Sequence, residues 1–223
     1  MCITFALGSM ILFWSSVITV RPEAVITKWE QNKEEINPAL AITMIARLKQ
    51  SIAINPLDAN SHLLLARYYE TLTNSETNTK PNQYTELAEQ SYKIAIKHQP
   101  SWDYAWAKLA SFYSDQQQQQ QQLNEINLMH ALSKAMLLGP YERANQQVII
   151  PLLFKHWSLL ESNKQAHTQA TKIIKHTLRY YSYAYLTLAS ANKYQRLTEL
   201  APLITKQWQK NRLKKYVREA ADD

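Results

Sequence analysis

Apolar residues recur along most of this chain at three- and four-residue spacing, the period of a helix with one buried face. Leu64, Leu65, Ala66, Tyr68, Tyr69 and Leu72 form one such set, and Leu87, Ala88, Ser91, Tyr92, Ala95 and Ile96 another. Leu128, Leu132 and Ala135 make a third, and Ala166, Ala170, Ile173 and Ile174 a fourth. The punctuation agrees with this period. Asn37-Pro38 starts a helix with Leu40, Ile45, Leu48 and Ile52 on one face, Asn55-Pro56 stops it, and Asp58 caps the next. Further helices are predicted over Tyr84 to His98 and Asn124 to Leu138. Leu138-Gly139-Pro140 ends the latter, with Gly139 in the left-handed position after the helix. Tyr141 to Leu160 follows, kinked at Pro151, then Ser162 to Thr177. A short helix crowded with Tyr180, Tyr181, Tyr183, Tyr185 and Leu188 comes next, and a last helix runs from Leu197 to Val217. Thr73 to Asn82 and the glutamine run Gln116 to Gln122 read as loop insertions. The expectation is an all-α fold.

One stretch departs from this amphipathic pattern. Cys2 to Val20 is uncharged and apolar all round, and as a helix it spans about 30 Å, the thickness of a hydrocarbon core. It is longer than the apolar part of a cleavable signal peptide, and no Ala-x-Ala lies near its end. Residues 1–21 are therefore expected to be a single transmembrane signal anchor, ended by Arg21-Pro22. Residues 22–37 would be a polar helical linker, beginning with a short helix over Glu23 to Glu35. Arg21, Lys28 and Lys33 follow the span, which by the positive-inside rule keeps the rest of the chain cytoplasmic. A basic segment upstream of the given start would reverse that rule, and the expected side is the periplasm.

The helices also repeat. Tetratricopeptide repeats carry W-x2-L-G-x2-Y on their first helix and A-x3-F, then Pro, on their second. Small residues let the paired helices approach, and large ones fill the space between hairpins. Ala88, Tyr92, Ala95 and Pro100 fit the second half of one repeat. Without a gap, Trp106, Leu109, Ala110 and Tyr113 fit the first half of the next, which makes Trp106 and Tyr113 core residues. His62, Leu65, Ala66 and Tyr69 fit another first half, with His62 in the place of the large apolar residue. Residues 38–140 are assigned to tetratricopeptide-like repeats forming an α-solenoid of helical hairpins. Residues 141–223 are assigned to C-terminal helical repeats or a cap.

Composition limits the chemistry. Two glycines, Gly8 and Gly139, cannot build a phosphate-cradling loop. A single cysteine, Cys2, excludes an internal disulfide and a multi-thiolate zinc site. The six histidines include no pair spaced to share a metal on one helix, and no nucleophile elbow or His-Glu-x-x-His occurs. Neither a cofactor nor a metal is expected, and the protein is read as not an enzyme. The net charge is +7. Part of it forms a stripe, Lys206, Lys210, Lys214 and Arg218, with Arg212 and Lys215 beside it. Such a stripe either complements the C-terminal end of a helix dipole or meets an anionic surface such as lipid head groups. Nucleic acid is not expected, since no binding motif accompanies the charge.

Pro100-Ser101-Trp102-Asp103-Tyr104-Ala105-Trp106, followed by Ala131-Leu132-Ser133-Lys134-Ala135 and Leu138-Gly139-Pro140-Tyr141-Glu142, resembles the VpsP-type family. These are bacterial membrane-anchored proteins with tetratricopeptide-like helices, named from exopolysaccharide biosynthesis clusters. The family pattern reads P-S-W-P-Y-A-W-x-x-L-A, then A-L-x-x-A, then L-G-P-W-E-P. This chain has Asp103 and Arg143 in place of prolines, Tyr141 in place of tryptophan, and an added glutamine run. The resemblance is specific over about residues 88–146. It implies a role in making or exporting a surface polysaccharide, with other biosynthesis or export proteins as partners, and brings no catalytic residues.

The functional expectation is a single-pass inner-membrane adaptor or scaffold that binds a protein partner through its helical-repeat surface. Trp102, Tyr104 and Tyr141 are the candidate partner-binding residues. One alternative is a glycan-binding or carbohydrate-active protein that uses surface aromatics. Another is a cytoplasmic chaperone-like scaffold. The pattern implies no particular oligomeric state.

Overall fold

A computed structural model describes residues 2–32, 37–73, 81–116 and 121–222, with side chains over 13–30, 37–73, 82–116 and 124–216. Every regular element among the described residues is helical. Residues 74–80 of the expected Thr73–Asn82 loop and most of the glutamine run, 117–120, lie outside the described residues, while Thr73, Pro81 and Asn82 belong to helices. The chain divides into two compact units, Met1–Ser101 and Trp102–Asp223.

Among the described residues the first unit holds four helices: α1 (Cys2–Asn32), α2 (Pro38–Ile54), α3 (Ala59–Thr73) and α4 (Pro81–His98). α1 and α2 pair, α3 and α4 pair, and both α1 and α2 also touch α3. The caps fall where the sequence placed them. Asn37 accepts from the Leu40 N–H at 3.1 Å, and Asp58 accepts from the Asn60 N–H at 3.1 Å and the Ser61 hydroxyl at 2.5 Å. The two backbone bonds satisfy N–H donors that the first helical turn leaves open. The buried face of α2 is Ala41, Met44, Ile45, Leu48 and Ser51, so Leu40 and Ile52 sit at its margins. Ala66, Tyr68, Tyr69, Ala88, Tyr92 and Ala95 are all buried, in agreement with the repeat spacing.

The N-terminal expectation needs correction. The helix does not stop at Arg21-Pro22; α1 runs through Pro22 to Asn32, and no separate linker helix begins at Glu23. Proline removes one helical hydrogen bond, but tertiary contacts hold the helix beyond it. The Tyr68 hydroxyl donates to the Pro22 carbonyl at 2.7 Å, and Trp29 meets the Tyr68 ring edge-on. Arg67 forms a two-pronged ion pair with Glu30 at 2.7 and 3.0 Å. The apolar run itself is partly committed to protein. Ser15 is buried and shares a 2.8 Å hydrogen bond with Ser51, which bonds Ser61 at 3.0 Å. Among the described residues no helix is long and apolar enough to cross a membrane. The side chains of residues 1–12, which include much of the predicted span, lie outside the described set.

The second unit begins with α5 (Asp103–Asp115) and α6 (Gln121–Leu138), then α7 (Arg143–Lys155), the short α8 (Trp157–Glu161) and α9 (Lys164–Thr177). α10 (Tyr181–Lys193), α11 (Leu197–Leu200), a 3-10 turn (Ala201–Leu203) and α12 (Gln207–Asp222) complete it. α5 pairs with α6, and α8 packs on α9. α5 also packs on α7, α7 on α10, and α6 on α9. First helices thus neighbour first helices, and second helices neighbour second helices. The hairpin alternation continues past Pro140, where the sequence spacing fades.

Leu128, Leu132, Ala135, Ala166, Ala170, Ile173 and Ile174 form buried faces as expected. Tyr113 is core, but Trp106 is only half-buried and meets His130 edge-on with centroids 5.5 Å apart. Pro151 lies inside α7, as expected, but the predicted Tyr141–Leu160 helix is interrupted at His156, whose φ of −111° and ψ of 28° leave the helix between α7 and α8. The single helix expected from Leu197 to Val217 is two helices joined by the 3-10 turn, because Pro202 sits where an α-helix would need its N–H.

Candidate functional site

The α6–α7 turn organises the polar surface of the second unit. It is built around Gly139, which is buried but does not take the left-handed conformation expected of it. Its glycine is required for a different reason. A Cβ at Gly139 would coincide with the carboxylate of Asp103, the first residue of α5. Asn145 and Gln146, at the start of α7, staple the turn. The Asn145 amide donates to the Ala135 and Gly139 carbonyls at 2.9 and 2.6 Å, and Gln146 donates to the Pro140 carbonyl at 3.0 Å. These two buried residues were not singled out in the sequence. Their only signal was a polar pair on the inward face of a helix. Burial and the nearby Glu142 hold the Asp103 carboxyl above the usual carboxylate range, against backbone hydrogen bonds that pull it down. The two segments that carry the family resemblance, Pro100–Tyr104 and Leu138–Glu142, therefore touch through Asp103 and Gly139.

Next to this turn an open groove runs between α6 and α9. One cavity of about 610 Å³ is lined by Leu137, Pro140, Tyr141, Lys164, Thr168, Lys172 and Ile173, among others. A second, of about 200 Å³, adjoins it through shared Leu137, Gln165 and Gln169 and adds His130, Ser133 and Lys134. Leu137 is 65% exposed and Tyr141 55% exposed, so apolar surface is presented to solvent there. Among the described residues no carboxylate lines either cavity, whereas Lys134, Lys164 and Lys172 do. Tyr141 stands over His176 with ring centroids 4.1 Å apart, and His176 faces Tyr180 at 5.2 Å. Burial keeps the His176 imidazole below its ordinary pKa, with Arg179 adding to the effect, so the ring is neutral at pH 7.

The predicted site residues divide among separate places. Tyr141 lines the groove. Trp102 and Tyr104 are half-buried and pair with each other at 6.4 Å, on either side of Asp103. In the basic stripe, Lys206 precedes α12 and donates to the Arg179 carbonyl at 2.7 Å. Lys210 and Lys214 are exposed, and the side chain of Arg218 lies outside the described residues. Arg212 is tied to the hydroxyls of Tyr185 and Tyr216 at 2.7 and 3.2 Å. Buried Gln209 anchors α12 by donating to the Leu178 carbonyl at 2.6 Å.

A serine–histidine pair occurs away from the groove. The Ser114 hydroxyl and His156 Nε2 are 2.8 Å apart, but the residues are 3% and 7% exposed, which leaves no face for a substrate. Burial, helped by Lys155, pushes His156 down to about 4, so it packs as a neutral ring. Among the described residues no group of three or more His, Cys, Asp or Glu is placed to hold a metal. No family model, curated protein or solved structure matches this chain.

Proposed function

We propose that this protein is a non-enzymatic adaptor of bacterial exopolysaccharide biosynthesis or export. It holds a protein partner on a tetratricopeptide-like helical-repeat surface. The observation that carries the reading is the contact of Asp103 with Gly139. It joins the two segments of the family resemblance beside an open groove that contains Tyr141. Binding there needs no reacting group: a rigid helical scaffold presents apolar and cationic side chains, and the partner supplies the complement.

Membrane attachment through the apolar N-terminal segment, with the repeats on the periplasmic side of the inner membrane, belongs to the same reading. Alkaline carbonate extraction tests attachment, and reporters fused after Asp223 test the side. Deleting the gene tests the pathway. Surface polymer is expected to fall in amount or chain length and to be restored by the intact gene. Unchanged polymer would reject the assignment.

A second reading, glycan binding, is favoured by the aromatic row Tyr141, His176 and Tyr180, whose two tyrosines are exposed. Flat rings of this kind take sugar faces. Titration of the protein with polymer from the same cells, followed by tryptophan fluorescence, separates the readings. No change at saturating polymer removes the second one.

A further inference from the structure

We propose that the α6–α9 groove is a docking site for an acidic, aliphatic-rich peptide segment of a partner protein, bound in extended form. This rests on the adaptor reading above and names the chemistry of its partner. Charge is the first argument. Lys134, Lys164 and Lys172 line the adjoining cavities, and among the described residues no carboxylate does. None of the three lysines is ion-paired with a described residue, so the groove's cations are not answered from within the protein. A carboxylate-bearing ligand meets a field already set for it, whereas a cationic one is repelled.

Spacing is the second argument. Lys164 and Lys172 are two rows of four apart on α9, about 12 Å along the axis at about 1.5 Å per residue. An extended peptide advances about 3.3 Å per residue, so carboxylates roughly four residues apart reach both lysines at once. Gln165 and Gln169 lie in the adjacent row of the same helix. Their amides carry both donor and acceptor groups, which suits the N–H and C=O groups of a peptide backbone. The aliphatic requirement comes from the opposite wall. Exposed Leu137 gains free energy only from an apolar side chain placed against it.

The test is selection of short random peptides displayed on phage against the full chain. Selection against a Lys164→Glu/Lys172→Glu variant runs in parallel. Both positions are exposed, and helicity and melting of the variant confirm its fold. The expected result is enrichment of peptides with acidic residues three to five positions apart around Leu, Ile or Val. Their affinity should fall about tenfold or more in the double variant and persist in Lys164→Arg/Lys172→Arg. The proposal is overturned if no peptide is enriched, if the enriched peptides are neutral or basic, or if charge reversal leaves binding unchanged. It is also overturned if oligogalacturonate, an acidic glycan probe, binds in a lysine-dependent way while peptides do not. None of these outcomes bears on the gene-deletion test, so the adaptor reading and its acidic partner can fail separately.

Discussion

The carboxylate of Asp103 fills the space that a side chain on residue 139 would need. A helix start and a helix end, far apart in sequence, are thereby locked together. Gly139→Ala should push Asp103 away and destabilise the protein by about 1–3 kcal/mol, as overpacking does. Asp103→Asn should act in the opposite direction. Burial raises the Asp103 pKa, so its ionised form is disfavoured in the folded state. The stability it contributes is lost as pH rises through the folded value. The asparagine variant is expected to be more stable at pH 7, with the advantage shrinking as pH falls through the raised folded value and gone below about pH 4. Urea midpoints of both proteins across pH check this. An asparagine variant that is less stable at pH 7 would show that the contact requires the charge.

His156 predicts an acid limit to stability. Its folded value is about 4, while the unfolded ring titrates at its ordinary value of 6.5. Between these values the unfolded chain binds more protons, so stability falls as pH drops from 6.5 toward 4. The loss is on the order of 3 kcal/mol when complete. Lys155, Asp115 and Ser114 are the polar groups acting on this ring, and Lys155 reinforces the effect. His156→Asn should flatten the stability profile over that window. An unchanged profile would place the acid-sensitive group elsewhere.

The docking of α1 on α3 is held by Arg67, which is 6% exposed, and Glu30. Glu30→Ala is expected to cost about 1–3 kcal/mol, because a buried charge loses a charge-assisted pair. Hydrogen exchange should then rise in residues 22–32 before it rises in α3. Equal protection in both proteins would mean that α1 is held without this pair.

Leu132 is fully buried on α6, and Lys210 is exposed on α12. Leu132→Ala should cost about 2–5 kcal/mol. Lys210→Ala should change stability by about 0.5 kcal/mol or less. Thermal melts compare them, and similar shifts would contradict the hairpin packing.

Much of this architecture was legible in the sequence, for identifiable reasons. Ala88, Tyr92 and Ala95 keep a strict helical period, and Asn37 and Asp58 declare helix starts by their short oxygen-bearing side chains. Pro22 misled because tertiary contact overrode local preference: it lies inside α1, where Tyr68 bonds its carbonyl, whereas Pro151 lies inside α7, within a helix as expected. Gly139 was legible as a turn residue, but the cause lay in a residue on another helix, which no local pattern encodes. Of the candidate site, Tyr141 could be singled out from the motif. The lysines facing it from α9 were ordinary surface residues until packing set α9 beside α6. The basic stripe read as a single row, yet Lys206 is drawn to a backbone carbonyl.

The central claim, a protein partner held at the Tyr141 groove, is tested most directly by photo-crosslinking in living cells. A benzophenone amino acid at position 141 of the full chain places a short-range probe in the groove. The account predicts one discrete protein adduct, a component of the polysaccharide machinery, that disappears with Lys164→Glu/Lys172→Glu. A folded, normally expressed probe protein that yields no protein adduct, or yields an adduct to polysaccharide alone, would contradict it.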